Sequence, residues 1–285
     1  MISTASLASP ATLRLRLLIV AALVGLLAAA MLATSSAAHA QGFVGPKKYY
    51  LALGDSLAYG YQPNLDWSHG YANYFFTDLK THGSQQLINM GCPGETSKTF
   101  INGGCPAKII DHYFYLGAQL TAAVNFIKSH AGQVSPVTLD IGANDLLPDI
   151  TTSTCAISSN WNTDLATVQT NLDTILSKLK AALNGTGDLL VMNYYDPYEN
   201  ICPNTVPDVQ TINATIATEA AKYSAPVADV FTAFGGATSP NTNLCAYTWY
   251  VTNPPCSTNS SSPDIHSTRT GYSVIATTFE NLYGF

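Results

Sequence analysis

The chain has 285 residues and carries 12 basic against 18 acidic side chains, a formal net charge of −6. Arg14 and Arg16 belong to an N-terminal segment with the features of a signal peptide, and its removal leaves 10 basic residues and a charge of −8. Arg269 is then the last arginine. Proteins bind nucleic acid and anionic membrane surfaces through clustered Lys and Arg, so we expect neither as a partner.

The predicted signal peptide spans residues 1–40. An apolar run, Leu17–Leu32, follows the arginines, and Ala38 and Ala40 are small residues at the two positions that a signal peptidase reads. The run has 16 residues, fewer than the roughly 20 that cross a bilayer. We therefore expect cleavage before Gln41, secretion to the extracellular space and no stable membrane anchor; an uncleaved anchor is the alternative.

Residues 41–285 have the size of one domain with a full hydrophobic core. Short apolar runs alternate with segments of helical spacing, and this alternation predicts a parallel sheet covered by helices on both faces. The fold class is thus α/β, a three-layer α/β/α sandwich with a mostly parallel, five-stranded sheet. The predicted strands are Tyr49–Leu53, Leu87–Met90, Val137–Ile141, Leu189–Met192 and Val227–Phe231, and the predicted helices are Tyr71–Lys80, Leu120–Ile127, Thr163–Leu183, Val209–Tyr223 and Thr270–Tyr283.

All six cysteines lie after the predicted signal peptide, and an even number in an exported chain indicates three disulfides. Fifteen pairings are open. Short loops favour Cys92–Cys105 and Cys245–Cys256, which leaves Cys155–Cys202. A metal site is the competing interpretation, but the sequence has neither a CxxC pair nor a Cys/His cluster. We expect no metal and no organic cofactor.

Polar clusters follow the predicted strands at the points where the strands end. They are Gly54-Asp55-Ser56-Leu57, Asn89 to Thr96, Gly142-Ala143-Asn144-Asp145 and, before the last helix, Asp264-Ile265-His266. Functional groups of parallel sheets collect in the loops beyond the carboxyl ends of the strands. We therefore expect all four clusters at one edge of the sheet.

These four clusters resemble the signature blocks of the GDSL, or SGNH, hydrolases, in the same order and at suitable intervals. With its six cysteines, the chain is similar to a secreted bacterial esterase and lipase branch of that family, in which disulfides usually join cysteines that are neighbours in sequence. The resemblance implies the flavodoxin-like SGNH fold, and a serine esterase that hydrolyses small-molecule or lipid esters. We expect a monomer.

The resemblance assigns Ser56 as nucleophile and His266 as general base. A serine hydroxyl needs such a base within hydrogen-bond reach, and imidazole titrates in the required range. The resemblance also assigns the oxyanion hole to the backbone N–H groups of Ser56 and Gly94 and to the side-chain amide of Asn144. Gly91 is a rival for the glycine role. Asp55 and Asp145, beside these positions, are interpreted as hydrogen-bond acceptors that brace the loops.

The third triad member departs from the family pattern. The family's Asp stands three residues before the His, a position that Pro263 occupies here, and Asp264 stands two residues before His266. Either Asp264 or a backbone carbonyl orients the imidazole. Ser267 also replaces the proline that often follows the family's histidine.

Two other functions share these residues or this fold. A carbohydrate acetylesterase would use the same machinery, with an open aromatic-lined cleft in place of an apolar acyl groove. Both kinds of wall are compatible with the aromatic residues Tyr59, Tyr61, Trp67, Tyr198 and Trp249. A non-catalytic exported binding protein on the same fold is the third alternative.

Overall fold

Alternating strands and helices build the chain, which a computed structural model describes for residues 42–107 and 112–284. In chain order the strands are β1 (Tyr49–Gly54), β2 (Gln86–Asn89), β3 (Val134–Asp140), β4 (Ile150–Thr151), β5 (Ala156–Ile157), β6 (Leu189–Met192) and β7 (Val227–Ala228). The helices are α1 (Ser56–Tyr59), α2 (Tyr71–Thr81), α3 (Ser97–Asn102), α4 (Gln119–Ser129), α5 (Ala143–Leu146), α6 (Trp161–Leu183), α7 (Val206–Lys222), α8 (Val230–Ala233), α9 (Leu244–Tyr247) and α10 (Arg269–Tyr283). The predicted signal peptide, residues 1–40, lies outside the described residues.

The central sheet has five parallel strands in the order β2-β1-β3-β6-β7. Helices α2 and α10 pack against each other, and α4, α6 and α7 form a second packed row. Buried side chains from the strands and from both groups of helices share one hydrophobic core. The α/β/α sandwich with a parallel five-stranded sheet is therefore confirmed.

Hydrophobic periodicity explains the main elements. Every residue of β1 after Tyr49 is buried, as expected for a strand covered on both faces. Helix α6 buries Val168, Leu172 and Leu179 along one stripe, and it ends at Asn184 in the left-handed conformation, with φ of 46°. Helices therefore cover the sheet with the faces that the sequence pattern indicates.

Two boundaries of the predicted strands differ from the prediction by three residues, and the others differ by one residue at most. The fifth strand ends at Ala228 instead of Phe231, because the Asp229 carboxylate accepts the Thr232 N–H and begins α8. The third strand begins at Val134, before Pro136, where its register with β1 shifts between Tyr49 and Leu51. Proline has no backbone N–H to donate to the neighbouring strand, and the irregular hydrogen bonding at this point allows for that missing donor.

The three predicted disulfides are confirmed. Cys92–Cys105, Cys155–Cys202 and Cys245–Cys256 are all bridged, with sequence separations of 13, 47 and 11 residues. Among the described residues, no helix is long and apolar enough to span a membrane.

Candidate active site

Ser56, His266 and Asp264 form a continuous hydrogen-bonded row at the carboxyl edge of the sheet. The Ser56 hydroxyl lies 2.8 Å from His266 Nε2, and Asp264 Oδ1 lies 2.5 Å from His266 Nδ1. A proton on Nδ1 satisfies both contacts, because Nδ1–H then donates to the carboxylate and Nε2 accepts from the serine. These are the contacts of a nucleophile, a base and an orienting acid.

The turn after β1 fixes Ser56 at the start of α1. Gly54 has a φ of +139°, and a Cβ there would lie 2.1 Å from the Asp140 carbonyl oxygen, so only glycine fits. The Asp55 carboxylate accepts the Leu57 N–H at 2.9 Å and the Tyr194 hydroxyl at 3.1 Å. Asp55 thus braces the turn with its side chain.

The loop before α10 holds His266 from both sides. The backbone N–H of Trp249 donates to the His266 carbonyl at 3.0 Å, and the Tyr195 hydroxyl donates to the Ile265 carbonyl at 2.7 Å. Asp264 Oδ1 also accepts the His266 backbone N–H at 2.9 Å. The carboxylate therefore fixes both the backbone and the ring of the histidine.

The donors assigned to the oxyanion hole are the backbone N–H groups of Ser56 and Gly94 and the side-chain amide of Asn144. Ser56 and Asn144 line the same cavity. Among the described residues, no acceptor is bonded to the backbone N–H of Ser56 or of Gly94. The Asn144 side-chain amide donates to the Glu95 carbonyl at 2.9 Å, which orients the amide and leaves its second hydrogen for another acceptor. The Gly91 N–H, in contrast, is bonded to Asn89 Oδ1 at 2.9 Å.

Asp145 lies beside Asn144 in α5. Its two carboxylate oxygens accept the N–H and the hydroxyl of Ser97, each at 2.7 Å. This joins α5 to the start of α3, so Asp145 braces the short helix that carries Asn144.

Buried acids behind the nucleophile have displaced pKa values. Burial raises the pKa of Asp140 well above its usual range, and the neighbouring Asp55 charge raises it further. Asp140 accepts the Tyr71 hydroxyl at 2.6 Å and the Ala58 N–H at 3.1 Å. For Asp264, burial acts to raise the pKa, but hydrogen bonds and the charge of His266 outweigh it, so the pKa lies below its usual value. Asp264 is therefore a carboxylate at neutral pH.

Gln119 connects two segments of the candidate site, and sequence reasoning missed it. This buried side chain, in the first turn of α4, accepts the Gly54 N–H at 2.7 Å and donates to the Gly54 carbonyl at 3.0 Å and to Glu95 Oε2 at 3.2 Å. One amide thus joins the strand before Ser56 to the loop that carries Gly94. A glutamine in a helix has no sequence signature for such a role.

A mostly apolar cavity opens beside Ser56 and His266. Its wall combines residues from the loop after β3, the start of α6, the loop after β6 and one face of α7, among them Leu146, Leu147, Ile150, Trp161, Tyr194, Tyr198, Val209 and Ile212. Of the aromatic residues that the sequence offered, Tyr198 lines this cavity, while Tyr59, Tyr61, Trp67 and Trp249 do not.

Within the described residues, Cys92, Glu95 and Cys105 are close enough to hold a metal ion. Both sulfur atoms are already joined in the Cys92–Cys105 disulfide. A disulfide sulfur is not the thiolate that binds metals. This cluster therefore does not fit a metal.

The sequence profile of the GDSL-like lipase/acylhydrolase family matches residues 52–274. The chain belongs to this family. The matched segment contains Ser56, Gly94, Asn144, Asp264 and His266, and it extends over most of the described structure. The chain is thus a GDSL-family hydrolase.

Solved structures with the same fold include other ester hydrolases. An acetylxylan esterase from Geobacillus stearothermophilus aligns over 85% of this chain and 96% of its own, with 15% identity and a TM-score of 0.53. Phospholipase A1 from Streptomyces albidoflavus aligns over 82% and 99%, with 17% identity and a TM-score of 0.52. At these identities the likeness shows the fold alone. No match was found among the curated protein sequences.

Proposed function

We propose that this GDSL hydrolase is a secreted serine esterase that cleaves carboxylic esters with an apolar acyl chain. Ser56 is the nucleophile, His266 the general base and Asp264 the acid that orients it. The observation that carries the proposal is the hydrogen-bonded row Ser56–His266–Asp264 at the mouth of an apolar cavity.

In the first half of the reaction Ser56 Oγ attacks the ester carbonyl carbon while its proton moves to His266 Nε2. The carbonyl oxygen becomes an oxyanion, which the N–H groups of Ser56 and Gly94 and the second amide hydrogen of Asn144 stabilise. One such donor contributes about 3–4 kcal/mol to lowering the barrier. The bond to the alcohol oxygen then breaks, that oxygen takes the proton from Nε2, and an acyl-enzyme remains.

In the second half, water attacks the acyl carbon of the acyl-enzyme. His266 Nε2 takes a proton from the water and returns it to Ser56 Oγ as the acyl bond breaks. The products are the carboxylic acid and the free enzyme. Asp264, still a carboxylate, stabilises the imidazolium that forms in each half.

The cavity wall favours an acyl chain over an acetyl group. The acyl chain would contact hydrocarbon side chains of the wall, among them Leu146, Ile150, Val209 and Ile212. Each CH₂ of a substrate that is buried there contributes about 0.8 kcal/mol to the free energy of binding. A longer acyl chain therefore gains binding energy that acetate lacks. Carbohydrate acetylesterase is the second candidate, because the fold is shared with an acetylxylan esterase.

The test is hydrolysis of 4-nitrophenyl esters from acetate to palmitate by the oxidised protein, residues 41–285. Ser56→Ala and His266→Ala are expected to abolish hydrolysis while leaving the circular dichroism spectrum unchanged. His82→Ala, which removes an exposed histidine at the end of α2, serves as the matched control. A maximum of kcat/KM at acetate, with equal or better cleavage of acetylated xylan, would favour the second candidate.

Secretion is part of the same proposal, with residues 1–40 as the signal peptide and 41–285 as the hydrolase domain. The three disulfides support it, since such bonds persist in oxidising compartments. When the full chain is expressed in a secreting bacterium, we expect to find protein in the culture medium whose N-terminal residue is Gln41. Protein that remains in the cell with residues 1–40 attached would contradict it.

A further inference from the structure

Two aromatic side chains outside the apolar cavity form a pair, one of which lies against the histidine of the site. The Tyr61 ring centroid is 4.6 Å from that of His266, and the Tyr61 and Trp67 rings stack at 6.4 Å with 23° between their planes. Both side chains are half-buried, so part of each remains accessible. Neither lines the apolar cavity.

The loop that carries this aromatic pair is internally braced. The buried Gln62 donates from Nε2 to the Asp66 carbonyl at 2.7 Å, and the Trp67 indole N–H donates to the Gln62 carbonyl at 3.2 Å. The Asp66 carboxylate is paired with Arg269, so the two charges offset each other. The loop thus holds Tyr61 and Trp67 in place, and the indole N–H of Trp67 is already bonded.

Proton transfer fixes where the alcohol part of an ester must lie. The nitrogen that takes the Ser56 proton, His266 Nε2, also returns a proton to the departing alcohol oxygen. That oxygen must therefore come within hydrogen-bond reach of Nε2, about 2.6–3.2 Å. With the acyl chain in the apolar cavity, the alcohol part extends from the carbonyl carbon on the other side, where Tyr61 contacts the histidine ring.

We propose that Tyr61 and Trp67 form the binding site for the alcohol part of the ester, and that this part is a ring with a flat apolar face. Aromatic side chains bind such faces by stacking, whether the ring is aromatic or a pyranose that presents its C–H groups. The inference rests on the proposed esterase function and adds the alcohol side of the substrate to it.

The first experiment compares three butyrate esters that share the acyl group: methyl butyrate, 2-naphthyl butyrate and a 6-O-butyryl glucoside. Tyr61→Leu and Trp67→Leu are each expected to lower kcat/KM for a ring ester about tenfold, mainly through KM. In both variants, hydrolysis of methyl butyrate is expected to fall less than that of the ring esters, because its alcohol part has no ring that could stack. Tyr223→Leu, which removes a tyrosine at the far end of α7, is the matched control.

The outcomes distinguish an aryl alcohol from a sugar, and they distinguish a failure of the alcohol site from a failure of the esterase function. Loss confined to the naphthyl ester identifies an aryl alcohol, and loss confined to the glucoside identifies a sugar. Equal loss on all three esters, or no loss on either ring ester, would overturn the alcohol site while leaving the esterase function in place.

A binding measurement tests the same site without catalysis. In the Ser56→Ala background, 2-naphthol and methyl glucoside are titrated by isothermal calorimetry with and without Trp67→Leu. We expect one of the two alcohols to bind and its dissociation constant to rise about tenfold in the double variant. Binding of neither, or binding that Trp67→Leu leaves unchanged, would overturn the site even where no ester hydrolysis is detected.

Discussion

Replacing Asp264 by Asn isolates the charge of the acid that orients His266. One carboxylate oxygen accepts both the ring Nδ1–H, at 2.5 Å, and the backbone N–H, at 2.9 Å. Asn has nearly the same shape and keeps an oxygen for these bonds, so Asp264→Asn removes the charge and leaves the packing. It thereby separates an electrostatic role from a structural one.

The size of the effect follows from the change in hydrogen-bond type. A hydrogen bond to a charged group contributes about 1.5–3 kcal/mol and a neutral one about 0.5–1.5 kcal/mol. The two ranges differ by about 1–1.5 kcal/mol. The Asp264 side chain is 24% exposed, so solvent screens part of this difference and about 1 kcal/mol remains. Since about 1.4 kcal/mol is a factor of ten, kcat is expected to fall about fivefold. If the amide turns its NH₂ group toward Nδ1, the wrong tautomer forms and the loss approaches about 10⁴-fold.

The assay is steady-state hydrolysis of 4-nitrophenyl butyrate, with KM expected within about twofold of wild type. Asp173→Asn is the matched control, because Asp173 also accepts a hydrogen bond, from the Tyr223 hydroxyl, but lies on the surface of α6. A kcat for Asp264→Asn that equals that of wild type, with the fold intact, would refute the reasoning. A backbone carbonyl would then be the group that orients the imidazole.

Three further predictions concern the support of the site and the stability of the fold. Gln119→Leu removes three hydrogen bonds that join the nucleophile strand to the oxyanion loop, so kcat is expected to fall about tenfold or more with little change in KM; an unchanged kcat would remove Gln119 from the positioning network. Burial raises the pKa of Glu199 to about 7, so its contribution to stability is full below about pH 4.5 and is lost as pH rises through 7. In urea unfolding, the wild-type free energy of unfolding is expected to fall between pH 5 and pH 8, and Glu199→Gln should remove up to about 3 kcal/mol of this fall. An identical pH dependence in both proteins would contradict this. Replacing Cys155 and Cys202 by Ala opens a loop of 47 residues and is expected to lower the free energy of unfolding by about 4 kcal/mol; a loss below about 1 kcal/mol would show that the bridge does not restrain the unfolded chain.

The sequence predicted the large elements because their signals are local. Helix α6 carries apolar residues every three or four positions, and the strand before Ser56 is a short apolar run that ends at Gly54. The pattern failed where one residue redirects the chain. Asp229 caps a helix that replaces the end of the fifth strand. Pro136 lies inside a central strand, a position in which proline is normally disfavoured.

The candidate site was predictable to the extent that its residues follow strand ends. Ser56 and Asn144 stand there, and parallel topology brings such positions to one edge. The contacts of Gln119 and Tyr195 were not predictable, because each joins segments far apart in sequence. The choice between Asp264 and a backbone carbonyl also required side-chain geometry, since both stand within reach of His266 in any loop of this length.

Covalent trapping of the nucleophile tests the central claim most directly. The purified protein is treated with diethyl 4-nitrophenyl phosphate, the released 4-nitrophenolate is counted, and the modified peptide is mapped by mass spectrometry. We expect release of one nitrophenolate per chain, complete loss of esterase activity and a diethyl phosphate adduct on Ser56. An adduct on another residue, or esterase activity that survives stoichiometric modification of Ser56, would contradict it.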